Sequence, residues 1–350
     1  MSIEVVVAEE TSASHWRNFL GASECDHHAW SWEWREVLAA AFGHKPYYLV
    51  ATASTGDIKG VLPLFEVKSK LFGHALISLP YLNAGGLAAE EIARAPLIQQ
   101  ASELARSLDV RYVELRHRDE IQVSPALIGR QHKIAVELPL RRDADELFSS
   151  FPAKLRSQIR KPMKSGVELK VSGKDLSDDE SLRVFYRVFS EHMRDLGTPV
   201  YPYALFAQSK AAYKDRLRIF TAWHGATPIA AGITLGLNHR VEIPWASSLR
   251  KYNHLSSNML LYWEALRVAC ADGYHYFDFG RSTEGTTQHR FKEQWGGRVR
   301  TLHWQYLLQH GNIPEIDPHG RRFRLLVQCW RRLPLPIANS LGPYITRGLP

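Results

Sequence analysis

The sequence is poor in cysteine and has no long apolar run. Its 350 residues include three cysteines, Cys25, Cys270 and Cys329, which are far apart and form no Cys-x-x-Cys pair. This spacing argues against a disulfide framework and favours a reducing compartment. The first residues, MSIEVVVAEETSASHW, lack the regions of a signal peptide, and no stretch reaches the roughly 18 apolar residues that cross a bilayer. We therefore expect a cytoplasmic protein.

Several motifs of common enzyme classes are also missing. There is no Gly-x-Gly-x-x-Gly, Gly-x-Ser-x-Gly or His-Glu-x-x-His, which argues against a dinucleotide site, a serine hydrolase and a zinc protease. Gly280 and Gly285 have the spacing of a phosphate loop, but Thr286 stands where that loop needs a lysine. Residues 26–28, Asp-His-His, are consecutive and cannot share one helical face, so we expect no metal.

The formal charge of +8 is concentrated in two segments. Residues 311–350 hold six arginines and two acidic residues, a net charge of +4. The second segment, PAKLRSQIRKPMKSG, predicts a basic helix that ends at Pro162 or Gly166. Arg156 and Arg160 lie four residues apart in it, so both side chains can reach one anion. The alternative is a solvated helix face.

The tail, residues 311–350, predicts a short basic amphipathic helix. In GRRFRLLVQCWRRLPLP the apolar residues Phe323, Leu326, Val327 and Trp330 fall on one side, with arginines on the other. Such a helix can lie on an anionic membrane face. It can equally pack its apolar side on the protein, and the sequence leaves both interpretations open.

The order of predicted elements occurs twice along the chain. Each half reads as two strands joined by a glycine-containing turn, then a helix, then an aromatic-rich strand, VRYVELR in the first half and YHYFDFG in the second. This order predicts an α+β (α/β) fold with two tandem domains, each a mixed twisted sheet flanked by helices. We place the domains at 1–142 and 143–310, with Asp143 or Asp145 capping the first helix of the second domain.

The segment FDFGRSTEGTTQHRFKEQWGG, residues 277–297, is the strongest candidate for a site. A strand ends in a polar, glycine-rich segment that presents Asp278, Arg281 and Ser282, which is where open sheets with helices bind ligands. Lys292 follows Phe291, and a partly buried lysine there would suit a phosphate or an oxyanion. The alternatives are a surface turn and an exposed lysine on a strand.

Longer segments of the chain resemble a known family. GHKPYYLVA, GVLPLFEVKSKLFG, SLPYLNAGG, FYRVFSEHMRDLGTPVY, EIPWASSLRKYN, NMLLYW and FDFGRS…RFKEQWGG resemble the FemAB-like branch of the GNAT acyltransferases. Within that branch they look like proteins associated with PEP-CTERM and exopolysaccharide systems. The resemblance covers most of residues 1–310 and implies two tandem GNAT-like domains, with the active site in the second.

The resemblance also implies an activity. An activated acyl or aminoacyl group would pass to an amine or hydroxyl of a cell-envelope or exopolysaccharide precursor, a glycan or peptide that can be lipid-linked. The donor would be a co-substrate, charged tRNA or acyl-CoA, with no tightly bound cofactor. The alternatives are an acyl-CoA-dependent N-acyltransferase on a small amine and a non-catalytic scaffold of polysaccharide assembly, held at the inner membrane by the tail.

The candidate residues follow from this resemblance together with the patterns above. Lys292 would stabilise the oxyanion, and Asp278 would take the proton of the nucleophile. The expected substrate-binding residues are Arg281, Ser282, Phe291, Trp245, Arg156 and Arg160.

Overall fold

The computed structural model describes residues 2–23, 25–69, 73–123, 127–313 and 321–349, apart from the side chains of residues 132 and 321–323. The strands are β1 (Ile3–Val7), β2 (Lys45–Ala53), β3 (Ile58–Ser69), β4 (Gly73–Ile77), β5 (Ala88–Ala89), β6 (Tyr112–His117), β7 (Ile128–Pro139), β8 (Val167–Val171), β9 (Leu217–His224), β10 (Thr227–Leu237), β11 (Arg240–Ser248), β12 (Tyr276–Ser282) and β13 (Arg298–Leu308). The helices are α1 (Ala13–Ala22), α2 (Trp34–Phe42), α3 (Glu91–Ser107), α4 (Ala144–Ser150), α5 (Ala153–Lys164), α6 (Asp178–Leu196), α7 (Tyr203–Tyr213), α8 (Ser257–Ala271), α9 (Thr287–Glu293), α10 (Arg321–Arg331) and α11 (Leu335–Thr346).

All of these strands belong to one mixed sheet. Its order is β1-β2-β3-β4-β6-β13-β7-β12-β11-β10-β9-β8, with β5 beside β3. The outer strands pair antiparallel, whereas β4 pairs with β6 and β11 with β12 in parallel. Read from each edge towards the centre, the two ends of the sheet therefore follow the same strand order, β1-β2-β3-β4-β6 at one end and β8-β9-β10-β11-β12 at the other.

The last strand of each half lies against the other half. β7 ends the first half of the chain but pairs with β12, and β13 ends the second half but pairs with β6. β7 and β13 also pair with each other at the centre. The chain boundary at 142/143 falls between β7 and α4, and the domain limits stay a prediction because the sheet runs through both halves.

A single aromatic core joins the halves on one face of the sheet. Trp16, Trp34 and Tyr48 of the first half share this cluster with Phe206 and Trp245 of the second. Trp34 lies 5.2 Å from the ring of Tyr213. Other clusters fill the space under α3 and under α4, α5 and α8. Aromatic pairs add to area burial in holding packed surfaces together, so the halves are fixed relative to each other.

Helix α6 shows how the sequence sets one element that the site uses. Ser177 caps its start by accepting a hydrogen bond from the Glu180 N–H, and Gly197 ends it with φ of +79°. Leu182, Phe185 and Phe189 recur at helical spacing and are buried. This face packs on β9, β10 and β11. The C-terminal half of α6 then runs along the edge of the site.

Most predicted elements are confirmed, and one reading was wrong. The segment after Phe279 forms the end of β12 and helix α9, so Lys292 lies on a helix and not in a loop or on a strand. Helix α5 passes through Pro162 and ends at Lys164. Gly166, with φ of +73°, directly follows its C-cap Ser165, so the second of the two predicted ends is confirmed. Asp143 caps α4, as expected. Among the described residues, no helix is both long and apolar enough to cross a bilayer.

Candidate active site

A cleft opens where β11 and β12 diverge. The two strands pair in parallel only from Arg240 opposite Tyr276 to Glu242 opposite Asp278, although β11 continues to Ser248 and β12 to Ser282. A cavity of about 430 Å³ occupies the space beyond the last pair. Its walls come from the diverging strands, from α6, α8 and α9, and from a loop and a strand of the first half.

Gly280 shapes the floor of this cleft. Its φ of +70° is a left-handed conformation that favours glycine, and it lies where the register of β12 against β7 shifts. The Gly280 N–H donates to Asp278 Oδ1 at 2.8 Å. A side chain here would meet Asn83 Nδ2 at 3.0 Å and the Ile243 carbonyl oxygen at 3.2 Å. Only glycine allows this approach of strand and loop.

Lys292 is anchored to that same turn of backbone. From the last turn of α9, its Nζ donates to the carbonyl oxygens of Gly280 and Arg281, both at 2.9 Å. The side chain is 3% exposed and lines the cavity. An ammonium group has three donors, so one remains for a ligand. The two carbonyls therefore hold a positive charge at the cavity wall.

Burial sets the protonation of Lys292. Desolvation lowers its pKa from 10.5 to about 8, and the Arg281 charge acts in the same direction, whereas Asp278 and Glu242 raise it. The group is mostly protonated at pH 7. The result is a poorly hydrated cation, which interacts more strongly with a developing negative charge than a solvated lysine does.

The cavity is lined by cations and, among the residues described, by no carboxylate. Lys133 and Arg281 join Lys292 in its wall. Lys133 Nζ donates to Thr283 Oγ1 at 2.8 Å, and burial lowers its pKa. The Arg281 guanidinium lies 5.3 Å from the Trp304 ring centre and makes no ion pair with any described residue. Such a wall suits an anionic ligand.

The negative charges lie behind the cavity and are already paired. Asp278 is buried, and its Oδ2 accepts from Arg118 at 3.0 Å. Glu242 accepts hydrogen bonds from His28, at 2.6 Å, and from Asn83. Burial alone would raise the pKa of Glu242, but hydrogen bonds from the two histidines hold it well below its usual value. These carboxylates stabilise the cavity floor and compensate part of the cationic charge.

His27, His28 and Glu242 come together closely enough to raise the question of a metal. One ligand atom of each lies within 4.8 Å of the others. The two rings stack at 4.6 Å because the chain is extended at His27, so the argument from helical faces does not apply. His27 Nδ1 accepts from the Ala29 N–H at 3.1 Å, which leaves the ring proton on Nε2, facing Glu242. A metal-bound histidine donates its second N–H instead. The donor set fits a hydrogen-bond network.

The first half of the chain supplies residues that the sequence did not indicate. Tyr81 and Asn83, from the loop after β4, and Lys133, from β7, all line the cavity. Leu79 and Tyr81 have φ of +51° and +71°, which is strained for residues other than glycine. The Tyr81 hydroxyl is held by His44 and by the Arg347 carbonyl oxygen. The SLPYLNAGG segment carried the only local signal, since its polar residues follow a strand.

The structure brings some of the sequence candidates together and separates others. Lys292, Arg281, Ser282 and Trp245 line the cavity, and the buried Ser282 hydroxyl has no hydrogen-bond partner among the described residues. Asp278 lies behind the floor, where it is paired. The remaining candidates, Phe291, Arg156 and Arg160, do not line the cavity.

These three side chains pack elsewhere. The Phe291 ring contacts Tyr262, with centroids 5.0 Å apart, and so supports α9 from behind. Arg156 donates to the Ser149 carbonyl oxygen, and the exposed Arg160 lies over the Phe148 ring. The two arginines of α5 therefore do not face the cation-lined cavity.

Comparison with known families gives one match. Residues 151–293 match the family described as acetyltransferase (GNAT) domain. This range contains α5 to α9 and the diverging strands β11 and β12, so it includes the cavity floor and Lys292. No curated protein matches the sequence.

Solved structures with the same fold include three informative cases. FemX has a TM-score of 0.62 at 13% identity, covering 94% of this chain and 100% of that one. The C-terminal domain of a putative lysylphosphatidylglycerol synthetase from Agrobacterium fabrum has 0.56 at 11%, covering 86% and 92%. A tandem GNAT protein from the clavulanic acid biosynthesis pathway has 0.56 at 14%, covering 89% and 100%.

These comparisons confirm two predictions. The fold is that of two tandem GNAT-like domains, as the sequence indicated. The second half carries an acetyltransferase-type domain, and the predicted enzyme class, an acyltransferase, is confirmed at that level. At 11–14% identity the solved structures show a shared fold and not a shared substrate.

Proposed function

We propose that this acyltransferase moves an activated acyl or aminoacyl group onto an amine or hydroxyl of a phosphate-bearing cell-envelope or exopolysaccharide precursor. The single observation that carries the proposal is the cleft between β11 and β12, in which Lys292 is held by two backbone carbonyls beside a wall of cations. The resemblance to FemAB-like proteins of PEP-CTERM systems supports the acceptor class.

Lys292 has the position that acyl transfer requires of a charge-stabilising group. The nucleophile forms a new C–N or C–O bond to the acyl carbon, and the bond from that carbon to the leaving oxygen or sulfur breaks. The nucleophile's proton passes to the leaving group. Between these events the carbonyl oxygen carries negative charge, and the free N–H of Lys292 would donate to it in a water-poor cavity.

The cationic wall supports a phosphate-bearing ligand. Arg281 and Lys133 flank the cavity without a carboxylate partner there, and the Ser282 hydroxyl, which has no partner in the described part of the chain, adds a donor. Partly buried cations without a charged partner cost free energy unless a ligand compensates their charge. Both activated donors under consideration carry phosphates, as do nucleotide- and lipid-linked sugars. The wall therefore favours this ligand chemistry over a neutral substrate.

A second candidate is an acyl-CoA-dependent N-acyltransferase on a small amine. The observation that favours it is the match of residues 151–293 to an acetyltransferase domain. A non-catalytic scaffold receives no such support, because Lys292 is buried against a cavity and not exposed on the surface. Charged tRNA and acyl-CoA as donors remain the alternatives that an experiment must separate.

Donor binding can be tested by the thermal shift of the purified chain. We expect one donor class, an acyl-CoA or a non-hydrolysable aminoacyl-tRNA analogue, to raise the melting temperature. Arg281→Gln should weaken that donor at least about tenfold, since charge-assisted hydrogen bonds contribute roughly 1.5–3 kcal/mol. Stabilisation by acyl-CoA alone would exclude charged tRNA as the donor, an outcome that both candidates allow.

Arg160→Gln is the matched control, because Arg160 is an exposed arginine among the sequence candidates that lie outside the cavity. It should leave the thermal shift unchanged. If Arg160→Gln weakened binding as much as Arg281→Gln, or if no donor of either class stabilised the protein, the proposal would fail.

A further inference from the structure

Helix α11 exposes an apolar stripe to solvent. Ile337, Leu341, Tyr344 and Ile345 are all exposed, Tyr344 at 80%. Their spacing of i, i+4, i+7 and i+8 places them on one face of the helix. Large apolar side chains in a continuous stripe mark an interaction surface more often than isolated ones do.

The opposite face of α11 fixes the helix on the protein. Ala338 and Thr346 are buried, and the Thr346 hydroxyl lies 3.4 Å from the Val200 carbonyl oxygen. A side chain at Gly342 would come within 2.8 Å of the Val200 backbone nitrogen, so the two segments are in close contact. The exposed stripe cannot turn inward without breaking this packing.

Helix α10 adds a second exposed apolar patch on the same support, since both helices pack against α6. Val327 packs over Gly197, and Arg331 Nη2 donates to the Leu196 carbonyl oxygen at 3.2 Å. Leu325 and Leu326 point away from this contact, and Leu326 is 68% exposed. The predicted amphipathic helix is present: Val327 packs against α6 and Leu326 is exposed, while the side chain of the predicted Phe323 lies outside the described residues.

The charge of this segment indicates the partner. Residues 318–350 contain six arginines and no aspartate or glutamate. Arg324, which precedes the two leucines in sequence, and Arg331 and Arg332, at the end of α10, are exposed. Arginines around apolar side chains are typical of surfaces that lie on anionic lipid, where the charges reach the headgroups and the apolar groups enter the acyl boundary. A second copy of the chain would place this positive charge against itself.

We propose that α10 and α11 form a docking surface for an anionic membrane, with Leu325, Leu326, Leu341 and Tyr344 entering the interface. None of these four side chains lines the proposed catalytic cleft. The apolar side chains would insert partly into the bilayer, and the arginines would be attracted to its anionic headgroups.

Sedimentation with vesicles tests the surface in the full chain. We expect binding to an equimolar mixture of phosphatidylglycerol and phosphatidylcholine, no binding to phosphatidylcholine alone, and weaker binding at high salt. The double variant Arg324→Gln/Arg332→Gln should weaken binding about thirtyfold, and Leu326→Glu/Leu341→Glu at least about tenfold. All four side chains are exposed, so both variants should keep the wild-type melting temperature.

Met163→Glu is the matched control, because Met163 is an exposed apolar residue on another basic helix, α5. It should bind vesicles like the wild type. Retained binding by either double variant, or an equal loss in Met163→Glu, would overturn the proposal. A dimer in solution that Leu341→Glu dissociates would also overturn it, since the surface would then belong to a second copy.

Discussion

Three properties that rarely occur together in one lysine side chain are found in Lys292. It is 3% exposed, its ammonium group is held by two main-chain carbonyls, and its pKa is lowered to about 8. Removing a charged amine from water costs free energy, and hydrogen bonds to neutral carbonyls compensate only part of this cost. The protein therefore carries an unfavourable charge at a defined place, which is typical of functional sites.

This lowered pKa predicts how stability depends on pH. The unfolded chain holds the Lys292 proton up to about pH 10.5, whereas the folded chain releases it near pH 8. The unfolded state binds more protons between these values, so the free energy of unfolding should rise with pH there. Compared with Lys292→Met, the wild type should gain about 2 kcal/mol between pH 7 and pH 9.5. Urea unfolding at both pH values measures this difference.

The same titration should act on activity in the opposite direction, because deprotonation removes the charge that would stabilise the oxyanion in the proposed mechanism. A wild-type transfer rate that falls above about pH 8 agrees with the account. If the stability difference between wild type and Lys292→Met stayed flat from pH 7 to pH 9.5, the buried ammonium would not exist in solution.

At the scale of elements, the site depends on the turn that ends strand β12. Gly280 has a positive φ and lies against the Asn83 side chain and the Ile243 backbone. Gly285, farther along the same segment, also has a positive φ, of +75°, but nothing lies within 4 Å of a side chain placed there. Comparing substitutions at Gly280 and Gly285 therefore separates the cost of a left-handed backbone from the cost of a steric clash.

Gly280→Ala should therefore destabilise the protein more than Gly285→Ala. Both variants place alanine in a left-handed conformation, which destabilises the folded protein by about 1 kcal/mol. Only Gly280→Ala must also displace Asn83 or Ile243, which costs about 1–2 kcal/mol more. Urea unfolding of the two variants gives the difference. Equal destabilisation would mean that the loop of the first half does not approach β12 as described.

The helices and strands were predictable from the sequence where the spacing of apolar residues and the residues at the ends of the element indicate the same structure. The strand pairs, α3 and α8 follow from alternation and helical spacing. The segment that holds Lys292 was misread, because TTQHRFKE is short, polar and flanked by glycines. Thr286 caps this helix by accepting from the His289 N–H, a signal visible in the sequence but easily taken for a turn.

At the scale of the whole molecule, the site is shared between halves that the sequence presents as separate. Tyr81, Asn83 and Lys133 reach the cavity because β7 and the loop after β4 lie beside β12. No local sequence pattern encodes this pairing, because β7 of the first half pairs with β12 and β13 of the second half pairs with β6, strands that are far apart in sequence. For the same reason the sequence could not separate Arg281, which faces the cavity, from Arg156 and Arg160, which do not.

The shared sheet also explains why duplication is useful here. One half presents the diverging strands, and the other closes the cavity with a strained loop held by Glu242 and the tail. A single unit would leave the cleft open to water. The cavity beside Lys292 is therefore a property of the complete fold.

The most direct test is the rate of acyl transfer by Lys292→Met, measured with the donor selected by thermal shift. We predict a fall in kcat of about a hundredfold or more, the effect of removing one oxyanion donor. Lys164→Met, at an exposed lysine of α5, should transfer at the wild-type rate. A folded Lys292→Met protein with undiminished kcat would contradict the account.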